Sequence, residues 1–94
     1  MVLKIQRWDI ADELKTEEDM LLYLEAALEE NDAQFLMVAL GDIARAKGMT
    51  NVARDTGLGR ESLYKSLSAD GNPSFATVQK VIASLGMKLS VSLM

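Results

Sequence analysis

The 94-residue sequence contains no cysteine and no histidine. Without cysteine, the chain can form neither a disulfide framework nor a thiolate zinc site, and it has no thiol nucleophile. Without histidine, it lacks the most common general base and the most common metal ligand of proteins. Carboxylates and lysines can still catalyse reactions, but this composition favours a protein that is not an enzyme and that uses no metal and no cofactor.

Long apolar runs are absent as well. No stretch approaches the roughly 20 consecutive apolar residues that cross a bilayer. The first ten residues, MVLKIQRWDI, also lack the apolar run that is typical of a signal peptide. We therefore expect a cytoplasmic protein with no membrane partner, folded as one domain around a modest core.

Charge is distributed unevenly along the chain, although the net charge is only −4. Residues 1–32 contain ten acidic and three basic side chains, a net charge of −7. Residues 33–94 contain seven basic and four acidic side chains, a net charge of +3. Such asymmetry indicates two faces that meet different partners. Within the single domain, residues 1–94, we therefore distinguish an acidic N-terminal helical extension (1–32), a core (33–86) and a terminal segment (87–94).

Residues 50–67, TNVARDTGLGRESLYKSL, have the pattern of two short helices joined by a tight turn. Ala53 is small enough to let a second helix cross closely. Gly57 stands where the first helix must end, with a positive φ that glycine adopts without strain. Leu63 and Leu67 are four residues apart and predict the buried side of the second helix. This arrangement is typical of a DNA-binding helix-turn-helix core, with an ordinary helical hairpin as the alternative.

The outward side of the second helix carries side chains of the kinds that contact base edges and phosphates in a major groove. They are Arg60, Glu61, Ser62, Tyr64 and Lys65. Arg60 is the first candidate for a base contact, because arginine binds guanine through two hydrogen bonds. Tyr64 has an equal alternative as packing at the edge of the helix.

The preceding helix offers a second kind of DNA contact at its start. Thr50 is its predicted N-cap, and Asn51 follows directly. Both are expected to contact phosphate where backbone N–H groups are free at the start of the helix.

Helical periodicity predicts further helices on either side of this pair. Thr16 followed by Asp19 predicts a capping box at the start of one helix. Asp32 and Ser74 are the predicted N-caps of two others. Gly41 lies inside a predicted helix at a cost of about 1 kcal/mol relative to alanine, which indicates close packing at that position. The predicted fold is therefore mainly α.

The two ends of the chain follow different patterns. Residues 7–14, RWDIADEL, predict a short helix, whereas the last eight residues, MKLSVSLM, alternate between apolar and polar side chains. This alternation predicts a short β-strand over residues 87–94. Because a lone strand leaves its backbone groups unpaired, it needs a partner. Residues 2–5 and the same strand of a second subunit are the two candidates.

The order of these elements resembles that of the antidote proteins of bacterial type II toxin–antitoxin (addiction) modules with a lambda-repressor-like (XRE-type) helix-turn-helix. The resemblance implies a lambda-repressor-like bundle with extra N-terminal helices. It also implies a protein that neutralises a RelE/ParE-like toxin by direct binding and represses its own operon by binding DNA. Four stretches carry it: TEEDMLLYLEAALEE (16–30), LGDIARAKGMTNVARDTGL (40–58), RESLYKSLSADGNPSFATV (60–78) and LGMKLSV (85–91).

Two positions depart from the family pattern. Gly59 stands where such motifs often have a serine or threonine as N-cap of the second helix, and Asn51 stands where glutamine is common. The glycine weakens the cap by a few tenths of a kcal/mol, roughly. Neither departure removes the fold, but the operator sequence cannot be transferred from the family.

The acidic half of the chain suggests where a toxin binds, because RelE-like toxins are typically basic. The candidate residues are Trp8, Asp12, Glu13, Glu25, Glu29 and Glu30. Charge complementarity of this kind mainly accelerates association and weakens with salt. The alternative is that the acids only keep the protein soluble, while Leu3, Ile5 and Trp8, apolar residues of the N-terminal arm, supply the affinity.

We expect a homodimer on double-stranded operator DNA, because symmetric half-sites call for a two-fold protein, with the terminal strand contributing to the interface. A stand-alone helix-turn-helix regulator without a toxin partner is the alternative function. A third possibility is an interaction-only bundle that does not bind DNA. The residues contain no pattern that identifies the toxin.

Overall fold

Five α-helices follow a short 3-10 helix in the computed structural model, which describes residues 9–94. No strand is present within these residues, and the predicted mainly helical fold is confirmed. None of the helices in this range is long and apolar enough to cross a membrane. The elements are the 3-10 helix Ile10–Glu13 and the helices α1 (Glu17–Glu29), α2 (Ala33–Lys47), α3 (Met49–Thr56), α4 (Arg60–Ser66) and α5 (Phe75–Ser84).

Side chains at the N-termini fix the starts of three helices. Thr16 accepts a hydrogen bond from the backbone of Asp19, whose carboxylate accepts one from the backbone of Thr16, so the predicted capping box at α1 is confirmed. Asp32 caps α2 and Ser74 caps α5, also as predicted. These bonds satisfy N–H groups that have no partner inside the helix.

The predicted cap of α3 was wrong by two residues. The helix begins at Met49, and its N-cap is Gly48 with φ 110°, so Thr50 already lies inside the first turn. The physical reason is that Met49 is buried in the core. The chain therefore turns sharply at the glycine that also ends α2, and no side chain caps α3.

Helix α2 is the centre of the core. Ala39, Leu40, Ile43 and Ala44 are 0 % exposed, and α2 contacts the 3-10 helix, α1, α3 and α4. Helix α5 closes the other side of the core by packing against α3. A helix that is apolar around most of its circumference needs cover on several sides, and the neighbouring helices supply it.

Gly41 marks the closest approach between α2 and α4. A Cβ atom at this position would overlap the backbone carbonyl oxygen of Leu67, the residue that ends α4. The close packing predicted at Gly41 is therefore confirmed, and it explains a glycine in the middle of a helix.

The predicted C-terminal strand was wrong. Residues 87–94 form no strand or helix, and within residues 9–94 no segment exchanges ladder hydrogen bonds with them. Met87 and Leu89 pack against the core, whereas Val91 and Leu93 are fully exposed. Alternation alone does not make a strand, because the backbone groups need a neighbouring strand to bond with.

The N-terminal predictions fall partly outside the described residues. Trp8 and the proposed strand at residues 2–5 lie there. The part of the predicted 7–14 helix that is described forms a 3-10 helix, Ile10–Glu13, capped by the carboxylate of Asp9. Leu14 follows it and is buried in the core.

Candidate nucleic-acid interface and acidic face

Helices α3 and α4 are joined by a three-residue turn at the surface. Gly57 ends α3 in the left-handed conformation with φ 73°. Its N–H donates to the carbonyl oxygen of Ala53 at 2.9 Å, and the N–H of Leu58 donates to the same oxygen at 3.2 Å. The buried Thr56 hydroxyl donates to the carbonyl of Val52 at 2.7 Å, which further fixes this end of the helix. The turn is thus held by bonds that need glycine at its centre.

Helix α4 presents one side to the core and the other to solvent. Leu63 is 1 % exposed and Leu67 is 4 % exposed. The five residues predicted to contact DNA from this helix are all exposed: Arg60, Glu61, Ser62, Tyr64 and Lys65. The sequence therefore places the candidate DNA contacts on the free side of a helix that is anchored through its leucines.

Arg60 and Tyr64 are neighbours on that free side. The guanidinium carbon of Arg60 lies 5.9 Å from the centre of the Tyr64 ring, and Tyr64 is 43 % exposed. A cation at this distance over an aromatic face is weakly attracted to the ring when both are exposed. The tyrosine side chain therefore favours this position of the arginine at the start of α4.

The start of α3 adds exposed backbone and polar groups to the same region. Thr50 and Asn51 are exposed, no side chain caps the helix, and the first intrahelical bond is donated by Val52 to Gly48. The side-chain amide of Asn51 donates to the carbonyl oxygen of Lys47 at 3.4 Å. That amide therefore supports the end of α2, and the N–H groups of the first α3 turn are the donors left for a phosphate.

The acidic residues of the N-terminal half do not form one continuous site. Glu25 and Glu29 are exposed on α1 and line a groove together with the C-terminal segment. The other three described candidates, Asp12, Glu13 and Glu30, are exposed but lie outside the lining of that groove. Within residues 9–94, none of these five acids forms an ion pair.

A polar cluster that sequence reasoning missed joins the acidic half to α2. The hydroxyl of Tyr23 donates to Asp42 Oδ2 at 2.7 Å, and Arg45 Nη2 donates to Asp42 Oδ1 at 2.8 Å. The same Arg45 nitrogen donates to Asp9 Oδ1 at 2.8 Å. Asp42 is buried, so these bonds supply the partners that a buried carboxylate requires. The sequence contained one signal for this cluster. Asp42 and Arg45 carry opposite charges three residues apart on a largely apolar helix, a spacing at which they can pair.

The pKa values of Asp9 and Tyr23 reflect this cluster. The backbone N–H of Ala11 and the guanidinium of Arg45 hold the pKa of the Asp9 carboxyl below its usual value. Burial, followed by the hydrogen bond to Asp42, raises the pKa of the Tyr23 hydroxyl. Both shifts favour the protonation states that form the bonds at neutral pH.

The described residues show no cluster of metal-ligating side chains. Within residues 9–94, no group of three or more carboxylates is arranged to hold a metal ion. Residues 9–94 instead form a small, mainly helical protein.

Comparison with known proteins places the chain in a family. The sequence profile of the probable addiction module antidote proteins matches residues 4–93, so the chain belongs to that family. It is also similar to an uncharacterized protein of Haemophilus influenzae strain Rd, with 46 % identity over 91 residues, which cover 97 % of this chain and 94 % of the relative. No solved structure matches the chain. The predicted antitoxin family is confirmed, and an antidote implies a toxin partner in general.

Proposed function

We propose that this protein neutralises a cognate RelE/ParE-like toxin by direct binding and represses its own operon by binding operator DNA. The family match supports the toxin half of this proposal. The observation that carries the DNA half is the α3–α4 pair, with its left-handed Gly57 and its row of exposed polar side chains on α4. A lambda-repressor-like helix-turn-helix has this arrangement.

In this proposal α4 lies in the major groove. Arg60 contacts a guanine through two hydrogen bonds, with Tyr64 holding the guanidinium in position, and Glu61 can accept from a cytosine amino group. Ser62 and Lys65 contact base edges or phosphate from the same side of the helix. The free N–H groups at Thr50 and Asn51 bind a phosphate at the start of α3.

Two copies of the chain bind the operator together. One helix of seven residues offers few contacts, and two-fold symmetric half-sites about one helical turn apart double them. Sedimentation of the protein at micromolar concentration measures the expected homodimer. A monomer both free and on DNA would contradict this step.

In this proposal the acidic half of the chain, residues 1–32, binds the toxin. Residues 1–32 carry a net charge of −7. A basic, RNA-directed toxin is steered toward such a surface, and the steering raises the association rate most at low salt. Because α4 is not part of that surface, the complex with toxin keeps its DNA-contacting side chains exposed.

Two measurements test the two parts of the proposed function, DNA binding and toxin neutralisation. For DNA, the protein is titrated against the region upstream of its own gene in a gel-shift assay, and a specific shift is expected. For the toxin, the product of the adjacent reading frame is expressed alone, where it should arrest growth, and then together with this protein, which should restore growth. A specific shift without any rescue would support a stand-alone regulator, and rescue without a shift would support an interaction-only bundle.

A further inference from the structure

Helix α1 carries apolar side chains on the side that faces away from the core. Met20, Leu24 and Ala27 are buried on its inner side. Leu22 is 59 % exposed and Leu28 is 41 % exposed, although both belong to the same helix. Large aliphatic side chains that remain partly in water forgo the stabilisation that further burial would supply. The exposed leucines therefore mark a surface that gains from being covered.

A groove runs between this side of α1 and the C-terminal segment, residues 87–94. Leu22, Ala26 and Leu28 line it from α1, and Met94 lines it from the opposite side. The segment contributes polar edges as well, through Ser90 and Ser92. The groove is therefore of mixed polarity, and its apolar floor consists of the α1 side chains Leu22, Ala26 and Leu28.

The charge of the groove has one sign. Glu25 and Glu29 line it, and no lysine or arginine does. Neither glutamate forms an ion pair with a residue of the described chain. They lie three and seven residues after Leu22, which places both beside the exposed leucine on one side of the helix.

We propose that this groove, lined by Leu22, Ala26, Leu28 and Met94 between Glu25 and Glu29, is the docking site for an amphipathic, positively charged segment of the toxin. The proposal rests on the proposed function and assigns it a surface. Aliphatic side chains of the segment cover Leu22 and Leu28, and its lysines or arginines pair with the two glutamates. The affinity then comes from the apolar floor, whereas the acids set the rate of encounter.

Charge favours this occupant over the alternatives. In a two-fold contact between two copies, the same patch meets itself, so the two glutamates of one copy would be brought close to the two of the other with no basic groove residue between them. Such a like-charge contact costs free energy, particularly once water is excluded. DNA phosphates are repelled in the same way. A basic segment is the partner that can form favourable ion pairs with both glutamates.

The test compares truncations of two exposed apolar residues. Leu22→Ala removes the side chain at the groove, and Phe75→Ala removes a 65 % exposed side chain at the start of α5, outside the groove, as the matched control. Binding of the purified product of the adjacent reading frame is measured by surface plasmon resonance. Leu22→Ala should weaken binding at least about tenfold, mainly through faster dissociation, whereas Phe75→Ala should leave it unchanged.

Charge-reversal variants distinguish the contribution of the two glutamates to toxin binding from that of the apolar floor. The double variant Glu25→Lys/Glu29→Lys should slow association most at low salt, and Asp70→Lys, an exposed acid outside the groove, should have little effect. All variants should keep the circular dichroism of the unaltered protein, because the changed side chains are exposed. Leu22→Ala and the double charge variant should also keep its operator gel shift, because both change only α1.

Three results would overturn the proposal. Unchanged toxin binding by Leu22→Ala and by the double charge variant would exclude the groove while leaving neutralisation intact. Dissociation of a homodimer by Leu22→Ala in sedimentation would make the groove a contact between copies. Failure of the unaltered protein to bind the adjacent product at all would instead refute the proposed neutralisation, and with it the assigned occupant.

Discussion

Replacing Tyr23 with phenylalanine removes one hydroxyl from the polar cluster that joins α1 to α2. That hydroxyl donates to the buried carboxylate of Asp42 at 2.7 Å. The ring of Tyr23 packs against the core, and phenylalanine preserves it. Asp42 keeps its bond to Arg45, so the variant loses one charge-assisted hydrogen bond and leaves the helices in contact.

The loss of stability expected for Tyr23→Phe follows from the kind of hydrogen bond that is removed. A hydrogen bond to an ionised group contributes about 1.5–3 kcal/mol net to stability. Tyr23 is only half-buried, so water can replace part of the bond, and we expect a value near the lower end, about 1.5 kcal/mol. For a chain of this size, such a decrease lowers the melting temperature by about 6–12 °C.

The pH dependence gives a second signature of the same bond. The folded-state pKa of Tyr23 is raised above its unfolded value, chiefly by burial. Below the unfolded value of about 10 the contribution to stability is complete. As the pH rises above that value, the unfolded chain releases the proton first, and stability falls by about 1.4 kcal/mol per pH unit until the folded protein also releases it.

The assay is urea unfolding of the unaltered protein and of Tyr23→Phe at pH 7 and at several values between 9 and 11. The stability difference should be largest at pH 7 and should shrink as the pH rises above 10. The only other tyrosine is the natural control, because the exposed Tyr64 hydroxyl makes no hydrogen bond within residues 9–94. Tyr64→Phe should change stability little at any pH. Equal stability of Tyr23→Phe and the unaltered protein at pH 7 would refute the reasoning.

Three further substitutions have expected outcomes. Gly41→Ala should lower the free energy of unfolding by about 1 kcal/mol or more, because overlap with the carbonyl of Leu67 outweighs the gain in helix propensity; a higher melting temperature would contradict this. Gly59→Ser should raise stability by a few tenths of a kcal/mol, roughly, by supplying the missing cap of α4, as measured by urea unfolding. Arg60→Ala should weaken operator binding by about 1–3 kcal/mol in an anisotropy titration, and an unchanged affinity would remove Arg60 from the contacts.

Local signals made most of the helices predictable. The capping box at Thr16 and the caps at Asp32 and Ser74 each depend on residues at most three positions apart. The position and buried side of α4 were predictable from equally local signals, because Gly57 ends the preceding helix and two leucines four residues apart define the buried side. The start of α3 was misplaced because burial of Met49, a tertiary effect, outweighed the preference of threonine for the cap.

Contacts between distant residues were not predictable from the sequence. The bond between Tyr23 and Asp42 spans 19 positions, and that between Asp9 and Arg45 spans 36. The strand predicted over residues 87–94 was wrong for a related reason. Strand pairing depends on a second segment, which the alternation of apolar and polar residues does not specify. The same applies to the groove beside α1, whose leucines are exposed only because other residues of that helix face α2.

Neighbouring residues of α2 hold both proposed binding surfaces in place. Gly41 fixes the distance to α4, through its contact with Leu67, and Asp42 bonds to Tyr23 of α1. The same helix has four residues with no exposed surface, so a shift of α2 would disturb most of the core. A close-packed core resists small displacements. We therefore expect α1 and α4 to act as two rigid surfaces on one support, so that a toxin bound at α1 leaves α4 in its DNA-contacting position.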